Sequence, residues 1–183
     1  MDAIAQVPST RIDKDVLGDP RNFQHPAHLN SLASTILHNL RYQHDWTSLS
    51  IHTHSTLTGT PLPRPMISGL PPKRAYIHPD EQIELVKAEH ATGQPVEHFP
   101  EREWVLPSHW EEKWTLGRFA AVFDALENVP PSSDHAQEEQ ETDVGSQWRG
   151  KNRQKRLLLA TFHADSTIIY YIMHDGIVKP RQN

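Results

Sequence analysis

Apolar positions first acquire a regular spacing over residues 26–43. There Leu29, Leu32, Ala33, Ile36, Leu37 and Leu40 recur at helical intervals, and Pro26 stands where a first helical turn accepts proline. The period then changes. Over 46–53, Leu49, Ile51 and Thr53 alternate with Ser48, Ser50 and His52, the pattern of a half-buried strand, and a loop rich in Thr, Gly and Pro follows. A second short strand is expected over 74–78. His78-Pro79-Asp80-Glu81 opens a helix to about residue 90, with acids in its first turn, Lys87 later and Gly93 as its stop. Residues 103–106 read as a third strand. The stretch from Ser108 to Leu126 carries a Ser-x-x-Glu capping box at Ser108 and Glu111. One straight helix does not suit it, because at about 100° per residue Trp110 and Trp114 face away from Leu116, Phe119, Val122, Phe123 and Leu126. A break at Thr115, a second capping residue, is therefore predicted.

The final stretch, residues 155–180, reads as two strands folded on a His-Ala-Asp-Ser turn. Leu157, Leu158, Leu159, Ala160, Thr161 and Phe162 form the first, and Thr167, Ile168, Ile169, Tyr170, Tyr171, Ile172 and Met173 the second. Neither alternates. A strand apolar on both faces wants cover on both, and one at the end of a chain tends to be an edge, whose unpaired backbone invites another polypeptide. The pattern points to a component of an assembly before an isolated enzyme.

Composition narrows this picture. A chain of 183 residues usually makes one domain, but 36% hydrophobic content with fifteen prolines leaves part of it outside a core. The polar, unpatterned residues 1–22 are expected to be a disordered tail. Residues 23–183 are expected to form a single domain. Within it, residues 127–143 hold six acidic residues and no Lys or Arg, and a solvated, disordered insertion is expected over 128–150. A net charge of −5 argues against a globally basic nucleic-acid binder, so any RNA contact is local or supplied by a partner. The absence of cysteine removes disulfides and zinc-thiolate sites. There is no apolar run long enough for a spanning helix, and residues 1–15 have neither an apolar signal region nor transit-peptide character.

Three groups of residues carry candidate chemistry. Tyr170, Tyr171, His174 and Lys179 contain the base, acid and cation that a metal-free ribonuclease needs beside a phosphate. His52 and His54 share a face of a strand at a spacing a metal site can use, but neither an HExxH motif nor a carboxylate-histidine cluster accompanies them, so no metal or cofactor is expected. Arg149, Lys151, Arg153, Lys155 and Arg156 put five basic residues into eight positions. That run can bind RNA phosphates, act as a nuclear import signal, or solvate the junction ahead of the last hairpin. Only Trp148 accompanies it as an aromatic, which is poor support for a stacking platform. Tyr170 and Tyr171 alternate faces, so one can pack on its own domain while the other reaches a partner. Asp165 suits a turn.

The run DSTIIYYIMHDG resembles the C-terminal signature of the smallest, non-catalytic subunit (Sen15 type) of the eukaryotic tRNA-splicing endonuclease. The similarity is sharp over 156–183 and weaker but collinear over 46–126, where SGLPPKRAYIH and EWVLPSH take the places of family strands. The resemblance implies an α/β (α+β) domain like the C-terminal domain of tRNA-intron endonucleases, a mixed sheet with flanking helices. It also implies a structural role in a heterotetramer that excises introns from precursor tRNA. The direct partner would be the catalytic Sen34 subunit, joined through C-terminal strands, with Ile169, Tyr170, Tyr171, Ile172, Met173 and Ile177 as contact residues. Other subunits and precursor tRNA would be met through the tetramer. Asp165 would lie in a loop that docks on the opposing dimer, though relatives often carry several acids there. The family's catalytic tyrosine sits in a Tyr-Pro-Gly-Asp-Pro-like loop that this chain lacks; Tyr76-Ile-His-Pro-Asp is the nearest echo, without a collinear His and Lys, so no catalytic residue is expected. The alternative is an auxiliary RNA-binding or active metal-free ribonuclease subunit. In isolation the same strand can pair with its own copy, so a homodimer is compatible with this reading. The family implies a nuclear location, or in some lineages the mitochondrial surface.

Overall fold

The computed structural model describes residues 25–96, 98–131 and 144–176. Its framework is one five-stranded mixed sheet whose spatial order follows the chain: β1 (Thr47–His54), β2 (Pro61–Leu70), β3 (Glu103–His109), β4 (Arg156–Phe162) and β5 (Ile168–His174). Neighbours are antiparallel except β3 and β4, which run parallel. Three helices flank it: α1 (Ala27–Gln43), α2 (Pro79–Thr92) and α3 (Leu116–Asp124). This is the expected mixed sheet with flanking helices.

Two cores lie on opposite faces of the sheet. On one, Ile36, Leu37 and Leu40 of α1 pack with Trp46, Leu49, Ile67, Val105, Leu158 and Ala160. On the other, Val122 and Phe123 of α3, with Leu126, pack with Leu62, Met66, Trp104, Leu106 and Leu157. Each fully buried aliphatic side chain contributes about 2 kcal/mol relative to exposure. β3 and the first half of β4 contribute to both cores, which is why neither alternates in sequence. At Gly69 a Cβ would lie 2.6 Å from Leu49 Cδ2 and 2.9 Å from the Trp46 ring, so the glycine lets these apolar groups close over β2.

Several expectations stand with shifted boundaries. α2 starts and stops where predicted, with Gly93, at φ 68°, donating to the Glu89 carbonyl; its N-cap is His78, whose Nδ1 accepts from the Asp80 N–H at 3.2 Å. Thr115 caps α3 by accepting from the Arg118 N–H at 3.3 Å.

Three others are corrected. The strand expected over 74–78 does not form; the second strand is instead β2, in the segment read as a Pro-rich loop. Pro61, Pro63 and Pro65 recur every second residue, so their missing N–H groups all belong to one edge of the strand. That half of β2 pairs with β1 through Pro61 and His54, while pairing to β3 is confined to Ile67, Ser68 and Gly69. The predicted box at Ser108 and Glu111 is also absent. Ser108 belongs to β3, and its hydroxyl accepts from the Trp114 indole N–H at 2.9 Å. Glu112, one residue on, reaches back to accept from the His109 N–H at 3.1 Å, so a turn replaces the expected helical start. Finally, the basic run is not a solvated junction, because most of it turns inward, as described below.

Of the segment 128–150, residues 128–131 and 144–150 are placed against the domain, the latter with a 3₁₀ turn at Ser146–Trp148. Residues 132–143, like the tail 1–22, lie outside the described residues. Gly145, at φ 88°, abuts Glu81, whose Cγ would lie 2.8 Å from an added Cβ.

Candidate docking strand

β5 has the composition of an interior strand and the position of an edge. Its sequence IIYYIMH holds no Asp, Glu, Lys or Arg. Its register with β4 is unbroken, from His174 opposite Arg156 to Ile168 opposite Phe162. Among the described residues no strand pairs with its other side. The opposite edge of the sheet differs. β1 has register shifts between Thr47 and Ser50 and between His52 and His54, with Ser48 at φ 47°. Such bulges blunt an edge against further pairing. β5 is therefore the regular, uncharged edge on which a further strand can add.

Alternation assigns its side chains to faces. Ile168, Tyr170 and Ile172 belong to the α1 face, and Ile169, Tyr171 and Met173 to the α3 face. Tyr170 is committed internally: its hydroxyl donates to Asn39 Oδ1 at 2.6 Å and its ring stands edge-on to His44, centroids 5.2 Å apart. Burial pushes its hydroxyl pKa up. Tyr171 is 51% exposed, Ile172 39% and Ile169 37%. For Ile169 and Tyr171 the physical cause is the position of α3, which packs over β2 and leaves cover to fade toward β5. Met173, opposite Leu157, still packs on that core, while Tyr171, opposite Leu159, does not. Ile177 lies outside the described residues.

Tyr170→Phe is expected to cost about 1 kcal/mol, the usual net value of a lost hydrogen bond. An unfolded tyrosine ionises near pH 10, whereas folded Tyr170 still holds its proton there, so its share of the stability is complete below about pH 10 and declines above it. Urea melts at about pH 8 and pH 10.5 check this. The gap between wild type and Tyr170→Phe should narrow at the higher pH.

At the hairpin tip, His163 and Thr167 close the turn through a 2.8 Å backbone bond, with Ser166 at φ 68°. Asp165 Oδ1 accepts from the Thr167 N–H at 3.0 Å, which holds the carboxyl below its usual range. The residue thus shapes the turn while remaining fully exposed.

Most of the basic run turns inward. Arg153 and Arg156 are buried against Glu103: Arg156 Nη2 lies 2.5 Å from Glu103 Oε1, and Arg153 Nη2 lies 3.2 Å from Glu103 Oε2. Arg156 also reaches Glu101 at 2.8 Å. Arg149 donates to Glu81 at 2.6 Å, and Arg74 grips both Glu81 oxygens at 2.7 Å. Lys155 Nζ donates to the Phe123 carbonyl at 2.9 Å. Lys151 is exposed. The sequence signal for this network was available but unread: Glu101 and Glu103 sit at strand spacing just ahead of an apolar core strand, and a buried carboxylate there requires a cation.

The remaining candidates do not assemble a site. His52 Nε2 bonds Ser68 Oγ at 2.8 Å and its ring meets Trp104, while His54 Nδ1 bonds the hydroxyl of Thr53 at 3.0 Å. Burial, then Arg102, lowers the His52 pKa. Among the described residues no group of three His, Asp or Glu is arranged to hold a metal, and no helix is long and apolar enough to cross a membrane. Tyr170, Tyr171 and His174 do not converge, since Tyr170 is tied to Asn39 and Tyr171 lies on the other face; Lys179 is outside the described residues. The fold does bring Tyr76 to His174, ring centroids 4.6 Å apart, with Arg156 over the Tyr76 ring. Sequence reasoning missed this pair because 98 positions separate the two residues. Its chemistry is unfavourable for proton transfer: burial raises the Tyr76 pKa, burial and Arg156 lower that of His174, and Arg156 is engaged by two glutamates.

A family model described as Sen15 protein matches residues 35–183. The chain is 47% identical over 183 residues to a probable tRNA-splicing endonuclease subunit, tsp-1, of Neurospora crassa, covering 99% of this chain and 77% of that protein. It is 26% identical over 147 residues to the probable tRNA-splicing endonuclease subunit sen15 of Schizosaccharomyces pombe, covering 79% of this chain and 77% of the relative.

Proposed function

Because this chain belongs to the Sen15 protein family, we propose that it is a structural subunit of a tRNA-splicing endonuclease. Its task is to hold a catalytic partner in position, not to act on the scissile phosphate. The observation that carries the reading is β5, an uncharged edge in unbroken register whose Ile169 and Tyr171 are exposed. A partner strand added there would satisfy the outer backbone groups, and its side chains would cover Ile169 and Tyr171 on one face and Ile172 on the other. A Sen34-type catalytic subunit is the direct partner in this reading. Exposed Asp165 at the hairpin tip contributes to joining dimers into a heterotetramer that meets precursor tRNA as a unit. The nucleus is the location that goes with this assembly.

Co-expression of this chain with a Sen34-type subunit, followed by size exclusion with light scattering, tests the proposal. One-to-one association, lost when residues 165–183 are removed, is the expected result. The truncated chain must be compared by circular dichroism, because β5 also covers its own core. A chain that folds normally yet ignores the partner would end this reading. A homodimer of the isolated chain agrees with it, since the same edge can pair with its own copy.

The alternative of an active metal-free ribonuclease draws on the contact between Tyr76 and His174. Cleavage of precursor tRNA by the purified chain in the presence of a chelator would favour it.

A further inference from the structure

We propose that the open cleft beside the first turn of α3 binds single-stranded RNA, with a backbone phosphate held by Lys113 and Arg118 and a base stacked on Trp110. The choice of RNA as the ligand rests on the reading of the chain as part of an RNA-cleaving assembly. The site itself stands on its geometry. A cleft of about 460 Å³ lies between His28 of α1, Arg64 of β2, His109 at the end of β3, and Glu112, Lys113 and Arg118. The Trp110 N–H donates to the Phe162 carbonyl at 3.0 Å, which puts the cleft at the end of β4 remote from Arg156 and the buried glutamates.

The charges are arranged for an incoming anion. Arg64 is buried in the wall and forms a two-pronged ion pair with Glu112, which also accepts the His109 N–H at 3.1 Å. Glu112 is thereby neutralised as a source of repulsion. Arg64 Nε keeps its proton in that wall without an acceptor among the described residues. Lys113 and Arg118 are exposed at the rim. Arg118 is held in place by its bond to the Lys113 carbonyl at 2.6 Å and by lying over Trp114, 4.7 Å from the ring centroid. Besides Glu112, which Arg64 pairs, the lining has one opposing charge, Glu111, and it lies 3.8 Å from His109 Nδ1. In a chain of net charge −5 this is a local reversal of sign. Trp110, 48% exposed, has its ring centroid 6.3 Å from that of His109. An exposed indole next to His109, in a cleft whose lining includes Lys113 and Arg118, suits a nucleotide strand, where a base stacks while its phosphate is held, better than it suits an acidic peptide.

The test uses the full-length chain and a fluorescein-labelled oligo-uridine of about ten nucleotides. Binding is read by anisotropy across a salt series, with inorganic phosphate and poly-glutamate as competitors. Trp110→Ala should weaken binding about tenfold, the usual cost of one lost stacking contact. Lys113→Glu should weaken it by a similar factor and lower the salt slope by about 0.7, one phosphate contact on a single strand. Both residues are exposed, and matching circular dichroism spectra establish that the variants fold. Wild-type affinity in both variants would overturn the proposal, as would poly-glutamate displacing RNA at equal charge concentration. Displacement by phosphate alone, with no effect of Trp110→Ala, would reduce the site to a simple anion site and overturn its assignment to RNA. The same variants should retain partner capture through β5. Loss of RNA binding with capture intact therefore concerns the cleft, whereas a wild-type chain that captures no partner concerns the subunit reading.

Discussion

Tyr171→Asp, alone or with Ile169→Asp, is expected to abolish recovery of the heteromeric complex while leaving the isolated chain folded. Tyr171 is half exposed and projects from the α3 face of β5, where its own domain provides little cover. Truncating a central interface tyrosine commonly costs 2 kcal/mol or more, at least about 30-fold in affinity. Aspartate adds a desolvation cost that alanine does not, so Tyr171→Ala should lower complex recovery and activity together and Tyr171→Asp should eliminate both. Tyr170 supplies the contrast. Tyr170→Ala removes a ring packed between α1 and the sheet and a hydrogen bond to Asn39, so it should lower the stability of the isolated chain first. Pull-down of a tagged partner, with melting curves of each free variant, separates these effects. An intact but inactive complex carrying Tyr171→Ala would show that the residue serves chemistry, and the docking assignment would fall.

Glu103→Ala should lower stability by about 3–5 kcal/mol, because it leaves two buried guanidiniums facing each other without their shared carboxylate. Glu103 is 2% exposed, and Arg153 and Arg156 converge on it from β4 and the segment ahead of it. For a fold of ordinary stability this is a large share of the total, and a fall in melting temperature of roughly 10 °C or more follows. Lys151→Ala, in the same basic run but exposed, should stay within about 0.5 kcal/mol. Acid should attack the same region. Burial pushes the Glu101 carboxyl up, but the Gly150 N–H and the Arg153 and Arg156 guanidiniums outweigh it and hold the pKa below its ordinary 4.5. Its contribution is therefore complete above that value and is lost as pH falls below it toward the folded pKa. Melting of wild type and both variants at neutral pH and at about pH 4 gives the comparison. A Glu103→Ala chain that melts with the wild type would refute the network as a structural element.

The same glutamate shows how far reading in one dimension reaches. Five cations in eight positions look like a nucleic-acid patch until their partners are known, and the carboxylates that Arg149, Arg153 and Arg156 engage, Glu81, Glu101 and Glu103, lie 50 to 68 positions away from them. Charge pattern alone measures density, not direction. The cleft at Lys113 and Arg118 was illegible for the same reason, since its walls come from α1, β2 and the turn after β3. β2 was hidden by its prolines, which argue against a strand unless their spacing is read against the side on which a neighbour pairs.

What the sequence determined by itself is local or repeated along the chain. α1 followed from its apolar stripe, the start of α2 from its first-turn acids, the end of α2 and the start of α3 from Gly93 and Thr115, and the final hairpin from two apolar runs around a turn. These signals suffice because the groups that satisfy them lie within a few residues. Only the tertiary structure decided that Tyr170 is held by α1 while Tyr171 is left exposed, and that the basic run turns inward. It also decided that β5, not the bulged β1, is the regular edge of the sheet. Each of those outcomes depends on which distant segment supplies the other half of a contact, and period, propensity and charge density carry no information about that.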